Sequence, residues 1–289
     1  MKKVFCLVLS VFMLLGCTVA LSSCGNDEII VNTNAFFAPF EYYEGEEIVG
    51  VDVEIMAKVG EKMGKTISFK NTEFSAIIDN VAAGKVCDCG AAGITITDER
   101  KEKVDFSIPY YTSVQYVIFA VDDESVKTKT VDGVEYIVWD SLAGMTIGTQ
   151  TDTTGWIYTD GEINATEADE SYGYDGVLYG TNTEHKNFDS AQLAADGIGS
   201  NIVDVVIIDE LPAKYIVSKN SSLKCVPLYY AGETDADDAP VEEQYAIAVN
   251  KGNDELLAAI NEVLEELLVK DENGQSEIEK MVMRHMIGE

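Results

Sequence analysis

The sequence predicts an α/β protein of two lobes, each a mostly parallel sheet flanked by helices, with two hinge strands joining the lobes. Segments with strand and helix patterns alternate in two successive series along the chain, which is typical of α/β units. Two β-prone runs, VQYVIFAVDD and QYAIAVN, bracket the second series. The chain would therefore enter and leave the second lobe through paired crossings, and such an arrangement can hinge around a cleft.

The first series starts with a short buried strand over residues 29–33, which an aromatic loop over 34–47 follows. Apolar residues at helical spacing then predict a helix over 51–65, with Gly64 as its stop. The series continues with a strand over TISFK, a helix over FSAIIDNVAAGK that ends at Gly84, and a strand over VCDCGAA.

The second series consists of a strand over MTIGTQ, a helix that starts in TTGWIYT, a strand over DVVIIDE and a helix over LPAKYIVSK. Within it, residues 160–190 are rich in Gly, Asp, Glu, Asn and Tyr, which predicts a surface excursion with a small hairpin around GYDGVLYG. After QYAIAVN, a single apolar stripe predicts a long helix over DELLAAINEVLEELLVKDENG. The stripe consists of Leu257, Ile260, Leu264, Leu267 and Leu268.

The N-terminus has the pattern of a secretory signal. Lys2 and Lys3 precede an almost unbroken apolar run. Leu21-Ser22-Ser23-Cys24 resembles a bacterial lipobox, so Cys24 is the expected lipidation site, with Cys17 as a second candidate. An ordinary cleaved signal peptide is the remaining alternative. With acyl chains on its first residue, the mature protein would be anchored to the outer face of the cell membrane, in an extracytoplasmic location.

These patterns predict a division of the chain into a lipoprotein signal peptide, a tether and two lobes. The divisions are 1–23 for the signal, 24–28 for the tether, 29–115 for the first part of lobe 1, 116–246 for lobe 2 and 247–289 for the C-terminal part of lobe 1.

The formal net charge of −31 makes nucleic acid and anionic lipid headgroups unfavourable partners. Cys87 and Cys89 form a C-x-C without a second ligand pair, which is a poor metal site, so buried free thiols are expected. A disulfide, for example with Cys225, stays open. The segment TDADDAPVEE lacks the glycine and spacing of an EF-hand and is interpreted as a solvated acidic loop. Neither a metal nor a cofactor is predicted.

Arg100 occupies an unusual position in the stretch AAGITITDERKEKVDFSIPYY, because a cation stands in the first turn of a predicted helix. Thr97 is a good N-cap, and a capping box would place Glu or Gln three residues later, where Arg100 stands. A guanidinium can bind a carboxylate through two parallel hydrogen bonds, and the end of a strand in an open α/β sheet is a common ligand crevice. The alternative is a solvent-facing arginine paired with Asp98 or Asp105.

Taken together, the motifs closely resemble those of the amino-acid-binding proteins of ABC importers (solute-binding family 3, type II periplasmic-binding-protein fold), over nearly the whole mature chain. The central motifs are G-I-T-I-T-D-E-R and V-D-F-S-x-P-Y-Y at 93–111. In chain order, the other matching segments are A-P-F-E-Y, G-x-D-V, E-F-S, S-L-A-G, T-D-T-T-G, D-V-V-I-I-D and Q-Y-A-I-A.

The resemblance implies a set of ligand-binding residues. Arg100 and Thr95 would hold a ligand carboxylate from the first lobe, and Thr153 and Thr154 would add hydroxyl and N–H groups from a helix N-terminus in the second. Asp209 would bind the α-ammonium, although it could instead cap the helix that follows it. The remaining positions are the bare backbone of Gly93, the aromatic walls Phe37 and Phe74, for which core packing is the alternative, and the distal amides Asn34 and Gln150.

Asp152 departs from the family pattern, which usually has Gly there. It either tolerates the turn or places a negative charge near the carboxylate subsite. The excursion at 160–190 is also longer than the usual connection.

The resemblance implies a monomeric, non-enzymatic receptor that captures an amino acid between closing lobes and delivers it to a membrane permease. The neutral amides favour a polar uncharged amino acid such as glutamine or cystine. The alternatives are an enzyme on the same fold, such as a dehydratase, or a ligand-sensing domain. The only histidines, His185 and His285, fit no catalytic pattern.

Overall fold

The computed structural model describes residues 27–165 and 174–287. The predicted signal peptide and lipidation site, together with residues 166–173 of the excursion, lie outside the described residues. The helices are α1 (Val51–Met63), α2 (Phe74–Ala83), α3 (Asp98–Lys103), α4 (Thr154–Asn164), α5 (Ala191–Gly199), α6 (Glu210–Lys219), α7 (Asp254–Leu267) and α8 (Glu277–Ile287), with a 3-10 helix at Trp139–Leu142. None of the helices within these ranges is long and apolar enough to cross a membrane.

The strands form three sheets. They are β1 (Glu28–Thr33), β2 (Phe36–Phe37), β3 (Glu41–Glu44), β4 (Glu47–Val49), β5 (Thr66–Asn71), β6 (Cys89–Gly90), β7 (Asp105–Phe106), β8 (Tyr111–Ala120), β9 (Lys129–Val131), β10 (Val134–Val138), β11 (Thr146–Gln150), β12 (Glu184–Phe188), β13 (Val205–Asp209), β14 (Leu223–Tyr229), β15 (Glu242–Tyr245) and β16 (Ala248–Val249).

The first large sheet has the order β5-β1-β6-β16-β7, and the second has the order β12-β11-β13-β8-β14-β10-β9. In the first, β1 runs parallel to β5 and β6, and in the second β11 runs parallel to β12 and β13. Each sheet also contains antiparallel strands where the long-range crossings β8 and β16 enter it. The α/β class is confirmed, with mixed rather than wholly parallel sheets.

Two antiparallel segments connect the two large sheets. The first residues of β8 pair with β15, with Tyr111 opposite Tyr245, whereas the rest of β8 pairs with β13 and β14 inside the second sheet. Directly after β15, the chain returns to the first sheet as β16. The chain therefore passes between the two sheets through adjacent strands, as the bracketing β runs predict.

Helix ends follow the predicted chemistry. Gly64 and Gly84 both adopt the left-handed conformation after α1 and α2, with φ of 65° and 58°. Such a conformation suits glycine, which has no Cβ to clash with the preceding carbonyl. The predicted stripe of the long helix is confirmed at Ile260, Leu264 and Leu267, which are buried. That helix ends at Leu267, earlier than predicted, and a separate helix, α8, follows.

Several local predictions are wrong. The aromatic loop contains a three-stranded antiparallel sheet, β2-β3-β4, with Gly45 at a tight turn (φ 65°). The predicted hairpin around GYDGVLYG has no strands in its described part, residues 174–180, which form turns instead. The excursion also contains β12, which pairs with β11 at the edge of the second sheet. Short strands give weak sequence signals because their pairing partners, rather than their own residues, stabilise them.

Candidate ligand-binding cleft

A cavity lies between the two large sheets, near the ends of their strands. Ten residues line it, and they are the ten predicted from the sequence: Asn34, Phe37, Phe74, Gly93, Thr95, Arg100, Gln150, Thr153, Thr154 and Asp209. The structure therefore brings all ten together.

The topology explains why these distant segments meet. Asn34 directly follows β1, Gln150 is the last residue of β11, and Asp209 is the last residue of β13. In an open α/β sheet, the carboxyl ends of the strands form a crevice that loops and helix N-termini complete. Thr153 supplies such a terminus as the N-cap of α4.

Arg100 projects into this cavity from the first turn of α3. Thr97 caps the helix, since its hydroxyl accepts a hydrogen bond from the Arg100 N–H at 3.2 Å. The guanidinium itself donates to two carbonyl oxygens, those of Thr95 and Asp152, both at 2.8 Å. Its Cζ also lies 5.4 Å from the centre of the Phe74 ring, which allows a cation–π contact.

The Arg100 side chain has no carboxylate partner among residues 27–165 and 174–287, within an N–O distance of 4.0 Å. Asp98, one of the two partners considered in the sequence, pairs with Lys101 instead, at 3.0 Å. The alternative of a solvent-facing Arg100 paired with Asp98 or Asp105 is therefore wrong. Burial lowers the pKa of Arg100, while the negative charges of Glu243 and Asp209 raise it. A buried cation without a paired anion is rare and marks a site for an anionic group.

Asp209 faces the same cavity from the opposite lobe. Its carboxylate accepts a hydrogen bond from the hydroxyl of Tyr245 at 2.7 Å, and only 3% of the residue is exposed. Although Asp209 occupies the N-cap position of α6, its side chain makes no capping hydrogen bond. The helix-capping alternative is therefore wrong for this side chain. Burial raises the pKa of Asp209 well above its usual value, and the charge of Glu243 raises it further.

The three threonine hydroxyls all use their protons within the protein. Thr153 donates to the carbonyl oxygen of Gln150 at 2.8 Å, and its hydroxyl accepts from the N–H of Trp156. Thr95 and Thr154 both donate to one oxygen of Glu243, at 3.0 and 2.7 Å. The family resemblance implies that these hydroxyls donate hydrogen bonds to a ligand carboxylate. Because their protons are used within the protein, the described geometry leaves that role to Arg100 and to backbone N–H groups.

Glu243 is the polar residue near this cavity that the sequence interpretation missed. It was assigned to the solvated acidic loop, and that assignment is wrong because only 2% of Glu243 is exposed. Its other carboxylate oxygen accepts a hydrogen bond from the Gln115 amide at 3.0 Å. The signal was present as strand alternation, since Glu243 and the buried Tyr245 lie two residues apart in β15 and share a face.

The distal end of the cavity is closed by two amides from opposite lobes. Gln150 donates to the side-chain oxygen of Asn34 at 3.0 Å, and Asn34 in turn donates to the carbonyl oxygen of Thr72 at 2.8 Å. Phe37 packs against Phe40 and also lines the cavity, so it serves both the core and the wall.

Gly93 occupies a position that a side chain would disturb. Its φ is +53°, and a Cβ there would lie 2.6 Å from an edge carbon of Phe37. Its N–H donates to a carboxylate oxygen of Asp52 at 3.0 Å, which anchors this segment of backbone from below. The bare backbone therefore lets Phe37 approach the floor of the cavity.

The structure decides between the two interpretations of Asp152, the residue that departs from the family pattern. Its φ of 62° is left-handed, so the aspartate does adopt the backbone conformation usually given to glycine. Its side chain is not among those that line the cavity, and it faces instead an outer groove that Arg100 also borders. Tolerance of the turn is therefore the outcome, and the charge of Asp152 acts on Arg100 from outside the cavity.

The cavity is small in this closed arrangement. It contains about 290 Å³ of space between atoms, of which about 10 Å³ can hold the centre of a water molecule. That second volume corresponds to about one water. Entry of an amino acid therefore requires the lobes to separate, which would break the Gln150–Asn34 and Arg100–Asp152 hydrogen bonds between them.

A second buried pair of carboxyls supports the floor. Asp52 accepts hydrogen bonds from Gly93 and from the hydroxyl of Tyr110, at 3.0 and 2.6 Å. Both oxygens of the neighbouring Glu41 are buried without a hydrogen-bond partner in the described residues. Burial raises the pKa of Asp52 to about 6, and burial together with the charge of Asp52 raises the pKa of Glu41 well above its usual value.

Replacing Glu41 by glutamine will flatten the dependence of stability on pH. The folded chain holds the protons of this pair more tightly than the unfolded chain, whose carboxyls titrate near pH 4. The stability that this pair contributes is therefore fully present below about pH 4. It is lost as pH rises from there through the folded pKa values, which are about 6 for Asp52 and raised well above the usual value for Glu41. Each proton contributes a slope of at most about 1.4 kcal/mol per pH unit.

The measurement is the free energy of unfolding between pH 4 and pH 8. We expect Glu41→Gln to gain stability relative to the parent towards pH 8 and to converge with it near pH 4. Glu44→Gln, an exposed residue of the same strand, is the matched control and should leave the curve unchanged. Parallel curves for Glu41→Gln and the parent would contradict the assignment.

The cysteines and histidines lie away from the cavity. Cys87 and Cys89 are buried free thiols, as expected, and Cys225 is also free. His185 bonds to Thr149, and His285 pairs with Glu54. Within the described ranges, no cluster of His, Cys, Asp and Glu has the arrangement of a metal site.

Comparison with known proteins agrees with this architecture. The model of the bacterial extracellular solute-binding proteins, family 3, matches residues 29–278. The arginine-binding extracellular protein ArtP of Bacillus subtilis (strain 168) is 28% identical over 281 residues, which cover 94% of each chain.

Solved structures are similar over most of the chain. A structure titled as an ancestral arginine-binding protein bound to arginine has a TM-score of 0.69 and 28% identity, and the match covers 90% of this chain and 98% of the other. One titled as an ancestral arginine-binding protein bound to glutamine has a TM-score of 0.67 and 28% identity, with coverage of 91% and 99%. The chain thus belongs to the bacterial extracellular solute-binding proteins of family 3.

Proposed function

We propose that the protein is the substrate-binding component of an ABC importer and that it binds one amino acid between its lobes. The observation that supports this most strongly is the buried guanidinium of Arg100, which has no carboxylate partner in the described residues and lines the same cavity as Asp209. A cation and an anion that share a cavity without pairing suit the two ends of a zwitterion.

In this proposal, Arg100 binds the ligand carboxylate, together with backbone N–H groups at the N-terminus of α4. The first N–H groups of a helix have no partner within the helix, and its dipole favours an anion. Asp209 binds the α-ammonium. The two charged ends of the ligand would then bridge the lobes and favour closure, because closure lets both groups contact one ligand.

The ligand side chain would lie against Phe37 and Phe74 and extend towards Asn34 and Gln150. Of the ten residues that line the cavity, the two charged ones, Arg100 and Asp209, are assigned to the two ends of the zwitterion, so only uncharged side chains are left for the ligand side chain. We therefore propose a polar uncharged amino acid, with glutamine or cystine as the first candidates. Arginine is the main competitor, because the amide oxygens of Asn34 and Gln150 can also accept hydrogen bonds from a guanidinium, and the relatives named above bind arginine or glutamine.

The role is that of a receptor rather than an enzyme. The closed, loaded protein would dock as a monomer on a membrane permease and release the amino acid there. We also propose anchoring to the cell membrane through acyl chains on Cys24, with Cys17 as the alternative.

The test is a thermal-shift screen with the twenty amino acids and cystine. A ligand at a hundred times its Kd adds about 2.7 kcal/mol to the stability of the folded state. For a chain of this size, that corresponds to a rise in Tm of roughly 5–10 °C. Glutamine, cystine or arginine should give such a rise, whereas a screen in which no amino acid raises Tm would overturn the proposed function.

A further inference from the structure

Glu243 determines which way two cavity hydroxyls can form hydrogen bonds. A threonine hydroxyl has one proton to donate and two lone pairs that accept. Thr95 and Thr154 both direct that proton to the same Glu243 oxygen, at 3.0 and 2.7 Å. Towards the cavity, each hydroxyl can therefore only accept a hydrogen bond.

The surroundings of Glu243 provide several donors for its carboxyl oxygens. Its second oxygen accepts from the Gln115 amide nitrogen at 3.0 Å, so three donors converge on this one carboxylate. The same amide nitrogen of Gln115 also lies 3.3 Å from the Thr154 hydroxyl, whose proton is thus directed away from it and towards Glu243.

The charges of the buried side chains around Thr95 and Thr154 lead to the same conclusion. Asp209 and Glu243 are both buried, and both act on Arg100, the one buried Lys or Arg side chain in the described part of the chain. One guanidinium cannot compensate two charged carboxylates, and burial together with Glu243 raises the pKa of Asp209. An ammonium placed beside Asp209 would stabilise the charged form of that carboxyl, whereas a hydroxyl or hydrogen at the same position would not.

We propose that Glu243 is a positioning residue that turns the hydroxyls of Thr95 and Thr154 into acceptors. This side of the cavity, together with Asp209, then selects ligands with a protonated α-amine. The inference rests on the proposed function and adds to it a residue outside the lining of the cavity. Ligands that keep the carboxylate and side chain but lack the amine are rejected, because they leave these acceptors and Asp209 without a donor.

Two pairs of probes test this selectivity by calorimetry. L-glutamine is compared with glutaramic acid, and L-arginine with 5-guanidinopentanoic acid; the second member of each pair lacks only the α-amine. For at least one pair, the parent protein should bind the amino acid at least about a hundredfold more tightly than its analogue. In Glu243→Gln, one of the two oxygens becomes an amide nitrogen that only donates, so the side chain cannot accept from both threonine hydroxyls and from Gln115 at once. The hydroxyls are then no longer held as acceptors, and this ratio should fall by about tenfold or more.

Glu242→Gln removes the same charge from an exposed position of the same strand and should keep the parental ratio. Thr154→Val is a second variant for the case that Glu243→Gln fails to fold. If the Thr154 hydroxyl only accepts, its removal weakens the binding of the amino acid and leaves the binding of the desamino analogue unchanged. Equal losses for both members of a pair would show a hydroxyl that donates to the carboxylate, which overturns the inference.

The outcomes separate the two proposals. If the parent binds neither amino acid of these pairs nor any other in the thermal-shift screen, the proposed function fails and the inference fails with it. If the parent binds an amino acid but the ratio to its analogue is small, or stays parental in Glu243→Gln, only the inference is overturned.

Discussion

Arg100→Ala will abolish amino-acid binding and leave the fold intact. Arg100 is 8% exposed, and among the described residues only carbonyl oxygens accept the hydrogen bonds of its guanidinium. Its removal therefore takes away the charged donor for the ligand carboxylate. No described carboxylate loses a direct ion-pair partner, because none is bonded to Arg100. A loss of at least about a hundredfold in affinity is expected, since truncating one partner of a buried, hydrogen-bonded charge pair costs about 2–5 kcal/mol.

Titration calorimetry with the amino acid identified by the thermal-shift screen measures this loss, and circular dichroism checks the fold. Lys101→Ala is the matched control, because Lys101 follows Arg100 in α3 but is an exposed residue paired with Asp98. Arg100→Lys should retain part of the affinity, because an ammonium keeps the charge but lacks the fork. Normal binding by Arg100→Ala would remove this residue from the site.

Asp209→Asn will weaken the binding of amino acids far more than the binding of their desamino analogues. The asparagine keeps the size of the side chain and an oxygen that can accept from Tyr245, so the change is confined to charge. An ammonium held by a buried carboxylate loses about tenfold to a hundredfold in affinity when that carboxylate becomes an amide. A ligand without an amine has nothing to lose at this position.

The same variant should be more stable than the parent when no amino acid is added, because the raised pKa of Asp209 shows that burial penalises its charged form. Calorimetry with both probe pairs and the Tm at neutral pH measure the two effects. Glu210→Gln, which removes the next carboxylate along the chain and faces Lys214, is the control. Equal losses for amino acids and desamino analogues would assign Asp209 a structural role instead.

The sequence was most informative where the local signal and the tertiary environment agree. The helices that end at Gly64 and Gly84 were predicted because apolar spacing and a left-handed stop coincide there. The strand β13 is predicted for a similar reason, because all five of its residues are buried and four of them form the apolar run VVII. For β8, the β-prone residues VQYVIFA give the signal.

Prediction failed where an element depends on its partners. The short strands β2, β3 and β4 contain two to four residues each, too few to show a period. QYAIAVN was predicted as one run, but the structure divides it between β15, which pairs with β8, and β16, which pairs with β6 and β7. Which neighbour each half meets depends on residues far away in the chain.

The sequence by itself determined which residue types were available for recognising a zwitterion, because strand ends, a helix start and a misplaced arginine are local features. Only the tertiary structure decided that Arg100 lacks a carboxylate partner in the described chain and that the side chain of Asp209 leaves its helix uncapped. It alone decided that Glu243 takes the protons of Thr95 and Thr154. The physical reason is that a hydrogen bond has a direction, and direction depends on groups that meet only when distant segments pack together.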